Sequence, residues 1–374
     1  MRKFFGAFAL TLCAALTMSF VSCSSGSSDS EGNPENVAVT TYTVTFDSDG
    51  GSEVASQTVE SGKTATKPAD PAKSGEKTSY VFLGWYNGDS AFDFASAITA
   101  DVTLKAKWLE GFVKVTGKTI TGNENWVPKS EVFVSGRSLT IPDLYACEHE
   151  VTRGEYKALM GTDPSTAAAY DKNGNKLTGD AVLNNPVNYV NWYDAIVYCN
   201  KLSIKEGLTP CYTISGSTDP DNWGSVPTSS DSTWNAATCD FEADGYRLPT
   251  EAEWEWLARG GENYTYAGSD TIGDVAWYTT NTNNTGSRDV KTKAANGYGL
   301  YDMSGNVFEW CWDWSASAIT SATGASGASS GHNRVLRGGS WYDVAGYCEV
   351  ANRGIYNPFN RDKYFGFRLV RSAQ

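Results

Sequence analysis

Beyond residue 262 the chain is broken every few residues by Gly, Asn or Ser, and its apolar residues come in short runs between those breaks. A helix needs uninterrupted turns and a long strand needs sustained alternation. Neither is available here, so this part of the chain must fold as short strands and loops. Its large aromatics, Trp310 and Trp341 among them, then have to hold the loops together as core. Upstream the texture differs. Thr152-Arg153-Gly154-Glu155 is a capping box before Tyr156–Met160, and Gly161 closes that helix. Asn191 opens a second helix in which Trp192, Ala195, Ile196, Cys199 and Leu202 share one face, and Gly207 stops it. Thr250-Glu251-Ala252-Glu253 starts a third, through Trp254 and Trp256 to Arg259, ended by Gly260-Gly261. Capped helices feeding a loop-rich β region predict an α+β fold over residues 109–374.

Residues 42–108 read as a separate all-β module. Tyr42-Thr43-Val44-Thr45-Phe46 alternates with period two into the turn Asp49-Gly50-Gly51. Tyr80–Tyr86 and Thr103–Trp108 supply later strands, and no site chemistry is visible in the module.

The N-terminus reads as an address. Arg2 and Lys3 precede an apolar run from Phe4 to Val21, which predicts a secretory signal over residues 1–22. Val21-Ser22-Cys23 then resembles a bacterial lipobox, so Cys23 is expected to be lipidated, with a simple signal peptide as the alternative. Residues 23–41 are expected to be a flexible tether. The formal charge of −13 falls to −15 once Arg2 and Lys3 are removed. An acidic chain without a basic run is a poor nucleic-acid binder, and no nucleic-acid partner is expected. It would not hug an anionic membrane by charge, so the lipid would have to hold it. An exported, outer-membrane or cell-surface location follows. The only two histidines, His149 and His332, lie far apart and exclude a multi-histidine metal centre. Six cysteines follow the signal, and their spacing leaves any disulfides unassigned.

Three strings carry a family resemblance. They are Gly245-Tyr246-Arg247-Leu248-Pro249-Thr250-Glu251-Ala252-Glu253-Trp254-Glu255, then Asn296-Gly297-Tyr298-Gly299-Leu300-Tyr301-Asp302-Met303-Ser304-Gly305-Asn306-Val307-Phe308-Glu309-Trp310, then Arg337-Gly338-Gly339-Ser340-Trp341. With the closing Gly366-Phe367-Arg368-Leu369 they resemble the formylglycine-generating enzyme (sulfatase-modifying factor) family over about residues 111–372. The resemblance implies a modified C-type-lectin-like fold. The pieces TVTFDSDGG, FLGWY and TLKAKW resemble the Listeria–Bacteroides repeat, which implies a β-grasp-like spacer over residues 42–108.

Asp302 and Glu309 are hard oxygen donors flanking the Gly305-Asn306 turn, and calcium takes six to eight oxygens at short range. The resemblance implies one structural calcium ion held by the Asp302 side chain, the Gly305 and Val307 carbonyls and the Glu309 side chain. The alternative is that both carboxylates cap turns or pair with an arginine. The family's oxidase chemistry implies two cysteines five positions apart that bind copper(I). Here the second is Cys348 but the first is Asp343, and a hard carboxylate does not replace a thiolate. Catalysis, with Cys348 as its residue and copper as its cofactor, is therefore the lesser expectation. Cys348 reads more simply as a buried thiol or half of a disulfide.

The segment after Trp341 is odd for a core. Tyr342, Asp343, Val344, Tyr347, Ile355, Tyr356, Asn357, Phe359, Asp362, Lys363 and Tyr364 sit inside a regular frame of Gly, Arg and Asn. Tyrosine-rich loops with small polar neighbours make good generic recognition surfaces. Frame, position and lipoprotein context resemble the variable proteins of diversity-generating retroelements, a Treponema protein among them, in which Asn codons are rewritten at adenines. Lys363 and Glu349 are not reachable that way. The expectation is a surface lipoprotein that binds an extracellular protein, or a host or bacterial surface ligand, through residues 342–365. The rivals are a formylglycine-generating oxidase with an atypical centre and a purely structural envelope lipoprotein.

Overall fold

The computed structural model describes residues 39–75, 78–316 and 318–373. The signal segment 1–22, Cys23 and most of the 23–41 tether lie outside the described residues.

The N-terminal module is a five-stranded mixed sheet of β1 (Thr41–Asp47), β2 (Gln57–Glu60), β3 (Tyr80–Asn87), β4 (Ser90–Ala91) and β5 (Val102–Glu110) in the order β2-β1-β5-β3-β4. Strand β1 runs parallel to β5 and the other pairs are antiparallel. Alternation in β1 buries Val44 and Phe46 against Trp85 and Leu104, the small core that period-two patterning predicts. Trp85 meets the Phe46 ring edge-on at 4.9 Å. The module is spliced directly onto the larger domain. Strand β5 ends at Glu110, Gly111 turns the chain with φ +74°, and Phe112–Val115 is already a strand of the next sheet. Leu109 and Phe112 enter the larger domain's core, and Val81 and Leu83 pack on it. The Gly111 N–H donates to the Ser79 carbonyl, the Glu148 N–H to the Gly111 carbonyl, and the Ser79 N–H to the Glu148 carboxylate.

In the larger domain the first and last strands, Phe112–Val115 and Val370–Ser372, flank Leu144–Cys147 in one antiparallel sheet. The second sheet has the order Arg353–Tyr356, Arg334–Arg337, Phe308–Trp314, Phe365–Gly366. Its strand Phe308–Trp314 is buried at every position, with hydrophobic clusters on both faces. The helices Arg153–Met160, Trp192–Lys205 and Glu251–Arg259 begin at Thr152, Asn191 and Thr250 with complete capping boxes; the boxes at Thr152 and Thr250 and the helix start at Asn191 are those the sequence predicts, and the box at Asn191 is an addition. Beyond residue 262 the described chain is short strands and loops, with three single-turn helices, Ile272–Val275, Thr279–Thr282 and Ala345–Cys348, that no periodicity announces.

The helix Glu251–Arg259 is buried on all sides, so its three glutamates must be paired. Glu253 takes a fork from Arg247 at 2.7 and 2.8 Å, Glu255 meets Arg259 and Arg337, each at 2.8 Å, and Glu251 takes Arg353. Asp313 is different. Burial, with the Glu251 carboxylate beside it, pushes Asp313 up to about 8. An unfolded aspartate titrates near about 3.9. Between those values the native state holds a proton that the unfolded state has released. This stabilisation is complete below about pH 4 and is lost as pH rises through 8. Urea unfolding from pH 5 to 9 should therefore show Asp313→Asn losing less stability than the wild type, by up to about 1.4 kcal/mol per pH unit. Parallel profiles would refute this.

Candidate functional site

Trp341 is buried, and its indole closes the frame from which the following segment emerges. Five of the ten exposed large hydrophobic residues among those described fall within residues 342–356. They are Tyr342 (49% exposed), Val344 (58%), Tyr347 (52%), Ile355 (50%) and Tyr356 (45%). A single-turn helix, Ala345–Cys348, presents Tyr347, and the edge strand Arg353–Tyr356 presents Ile355 and Tyr356. Lys363, also exposed, holds its ammonium 5.1 Å from the Tyr364 ring centre and 5.7 Å from that of Tyr342. The remaining predicted residues sit lower. Asp343, Asn357 and Asp362 are half-buried, Phe359 packs on the main core, and Tyr364 wedges against Trp341 at 5.1 Å. Exposed apolar side chains gathered in one segment make it a candidate interaction surface. Tyr189 is a residue that the sequence does not single out. It is 41% exposed at φ +63°, and its N–H donates to the Asp362 carbonyl beside this face. A left-handed tyrosine is strained, but strain leaves no mark in a sequence.

Below the face lie the positions aligned with the family's paired thiols. Cys348 is fully buried, and burial pushes its thiol well above the ordinary cysteine range, with the Asp343 carboxylate adding to the shift. Asp343 accepts the Ser340 hydroxyl proton, and its own pKa is raised by burial. A protonated thiol beside a carboxylate is neither a nucleophile nor a soft metal pair. All six cysteines among the described residues are free thiols.

The carboxylates predicted to hold calcium are brought together, with an addition. Asp302 is 2% exposed at φ +57°, one oxygen accepts the Lys291 N–H at 2.7 Å, and Oδ1 has no donor. Burial pushes Asp302 up to about 6. Glu150 joins this cluster, fully buried, with its oxygens on the Val307 N–H at 2.9 Å and the Asn306 amide at 2.7 Å. Burial first, then Asp302 and Glu309, raise its pKa well above the ordinary value. Glu309 accepts three hydrogen bonds from the Arg368 guanidinium and one from the Trp254 indole at 2.7 Å. Of the two readings of Glu309, its pairing with an arginine is the one visible here. Asp302 keeps an oxygen without a donor, but among the described residues no three acidic or soft-donor side chains are placed to hold a metal ion together, and the Glu309 carboxylate is already shared with Arg368.

Residues 104–373 match the Sulfatase-modifying factor enzyme 1-like domain, and residues 42–107 match the Listeria-Bacteroides repeat domain. Chaperone protein LppX of Paenibacillus barcinonensis is 35% identical over 263 residues, covering 65% of this chain and 85% of that protein. The formylglycine-generating enzyme of Streptomyces coelicolor is 36% identical over 160 residues, 37% of this chain and 51% of the enzyme. The match thus spans about half the length of that enzyme. Among solved structures, Treponema denticola variable protein 1 superposes with a TM-score of 0.61 at 36% identity, covering 71% of this chain and 96% of that one.

Proposed function

Because the chain belongs to the sulfatase-modifying factor enzyme 1-like family and carries its C-type-lectin-like domain without the paired thiols, we propose that it is a lipid-anchored surface protein that binds a protein ligand. The observation that carries this reading is the exposed cluster of Tyr342, Val344, Tyr347, Ile355 and Tyr356. Aromatic rings on a rigid frame supply large contact area at little entropic cost. Cys23 would carry the lipid, and the 42–108 module would hold the domain away from the membrane. Likeness to the Treponema variable protein supports a retroelement origin for the diversity of this face. The DNA beside the gene tests that origin. A near-copy of the gene's 3′ end, differing mainly at adenines, with a reverse transcriptase nearby, is expected; absence of both contradicts it.

The Paenibacillus relative's name, a chaperone, favours a second reading, since a chaperone also needs an exposed apolar face. The two separate by selectivity. A binder holds one folded partner, whereas a chaperone suppresses aggregation of unrelated unfolded proteins. The oxidase reading requires copper(I) at position 343, which a carboxylate does not hold. The wild type should therefore lose copper(I) to a chelating competitor and leave a cysteine-containing sulfatase peptide unmodified, while Asp343→Cys should gain copper(I) affinity. Wild-type turnover would restore the enzyme reading.

We also propose one structural calcium ion on the Asp302 side chain with the Gly305 and Val307 carbonyls, Glu309 sharing it. The orphaned Asp302 oxygen supports this, and the two carbonyls would have to complete the shell, since among the described residues no three of the neighbouring acids are placed to hold a metal together. A cation there would offset their mutual repulsion and pin the turn that carries strand Phe308–Trp314. Calcium should raise the unfolding temperature and a chelator should lower it, by an amount that grows with free calcium. An unchanged midpoint would count against the ion.

A further inference from the structure

A cavity of about 300 Å³ opens between the loop at Tyr170–Gly174 and the segment Trp277–Arg288. Its charge is unlike that of the chain. The protein carries −13, yet no Asp or Glu lines this cavity among the described residues, while Arg288 and Lys172 both do. Arg288 is 3% exposed, and among the described residues it forms no ion pair, the Asp171 carboxylate acting on it only at a distance. Its Nη1 donates to the Gly286 carbonyl at 2.7 Å and its Nη2 to Thr282 and Thr285, both at 3.3 Å, while Nε–H has no acceptor. The guanidinium lies 4.8 Å from the Tyr170 ring centre and 5.5 Å from that of Trp277, so two aromatic walls hold it in place. The nearby carboxylate of Asp171 is spent on its own turn, accepting from the Asn173 and Asn175 backbones at 2.9 and 2.8 Å. A buried cation whose only carboxylate stands at a distance is costly unless something supplies a closer anion. Asn283 and Thr285 line the cavity as polar groups able to meet hydroxyls.

We infer that this cavity binds a small hydroxylated ligand through an oxyanion, a carboxylate or a sulfate, placed against Arg288 and Lys172. The size suits one sugar-sized molecule. The site also adjoins the binding face. Thr282 donates its hydroxyl to the Trp341 carbonyl at 2.6 Å, and the Thr279 N–H donates to the Asp343 carbonyl at 3.0 Å. A ligand seated there would touch Thr282, one hydrogen bond away from the loop from which Tyr342 emerges. The inference stands on the cavity's own residues and survives if the face at 342–356 binds nothing.

The test titrates the purified full chain with glucuronate, glucose and inorganic sulfate, reading the heat of binding. Glucuronate should bind and glucose should not. Displacement of glucuronate by sulfate assigns the site to oxyanions generally, and failure of sulfate to compete assigns it to carboxylates. Arg288→Gln should weaken glucuronate on the order of tenfold, the effect of losing a charge-assisted contact. Arg288 also braces its own loop, so the exposed Lys172→Glu is the second variant; it should remove detectable binding while the unfolding temperature holds. Glucose binding as well as glucuronate, no binding by either anion, or glucuronate affinity unmoved by Lys172→Glu would overturn the inference.

Discussion

Replacing Arg368 with methionine should cost about 3–5 kcal/mol, the effect of stranding a buried carboxylate. Arg368 is fully buried, and it gathers distant parts of the chain. It donates to both Glu309 oxygens, to the Cys147 carbonyl at 2.9 Å and to the Tyr301 carbonyl at 2.7 Å. Glu309 in turn receives the Trp254 indole. One guanidinium therefore joins the strand Leu144–Cys147, the turn before strand Phe308–Trp314, that strand itself and the C-terminal Gly-Phe-Arg-Leu. Methionine fills much of the volume but leaves Glu309 among Glu150 and Asp302 with its counter-charge gone. Stabilities of whole domains run to about 5–15 kcal/mol, so the variant should be marginal at room temperature. Urea unfolding followed by tryptophan fluorescence measures the loss. The double variant Arg368→Met/Glu309→Gln should recover part of it, because Glu309 is then no longer a buried ionised group without its partner. A loss below about 1 kcal/mol in the single variant would show that the cluster is solvated and the accounting wrong.

The second large effect is an asymmetry between binding and folding. Changing Tyr342, Val344, Tyr347, Ile355 and Tyr356 together to serine should cost at most about 2.5 kcal/mol in all. Each side chain is about half exposed, and surface substitutions usually stay within about 0.5 kcal/mol. Affinity for the protein ligand should vanish, since interface aromatics each carry on the order of 2 kcal/mol or more. Trp341→Ala is the counterpart. That indole is 2% exposed in a cluster with Val307 and Ala167, and its truncation should cost about 3–5 kcal/mol. Equal destabilisation by both sets would make the five residues core and remove the binding face.

Local chemistry made much of this architecture readable from sequence. A helix cap is written within four residues, so Thr152, Asn191 and Thr250 announce their helices without help from the rest of the chain. Alternation likewise marked Val44 and Phe46 as inward-facing. The central ionic cluster was only half visible. Asp302 and Glu309 stand seven positions apart around a turn, whereas Glu150 reaches Asn306 and Val307 across 156 and 157 residues. Nothing near Glu150 distinguishes it from a surface acid. The same limit hid Arg334, whose guanidinium lies 3.7 Å from the Trp192 ring centre and 3.6 Å from that of Trp314. In the late tyrosine segment, composition identified the stretch but not its orientation. Tyr342 and Tyr356 point outward while Phe359 and Tyr364 brace the core, a division set by tertiary packing. The cavity at Arg288 is wholly tertiary, since Tyr170 and Trp277 meet only once the loops are folded.

Amplicon sequencing of codons 339–367 across a population of the source organism tests the display face most directly. Substitutions should concentrate at Tyr342, Val344, Tyr347, Ile355 and Tyr356, mostly at adenine-derived positions, with Trp341, Cys348 and Arg361 unchanged. An even spread of substitutions through the segment, or an invariant face, would contradict it.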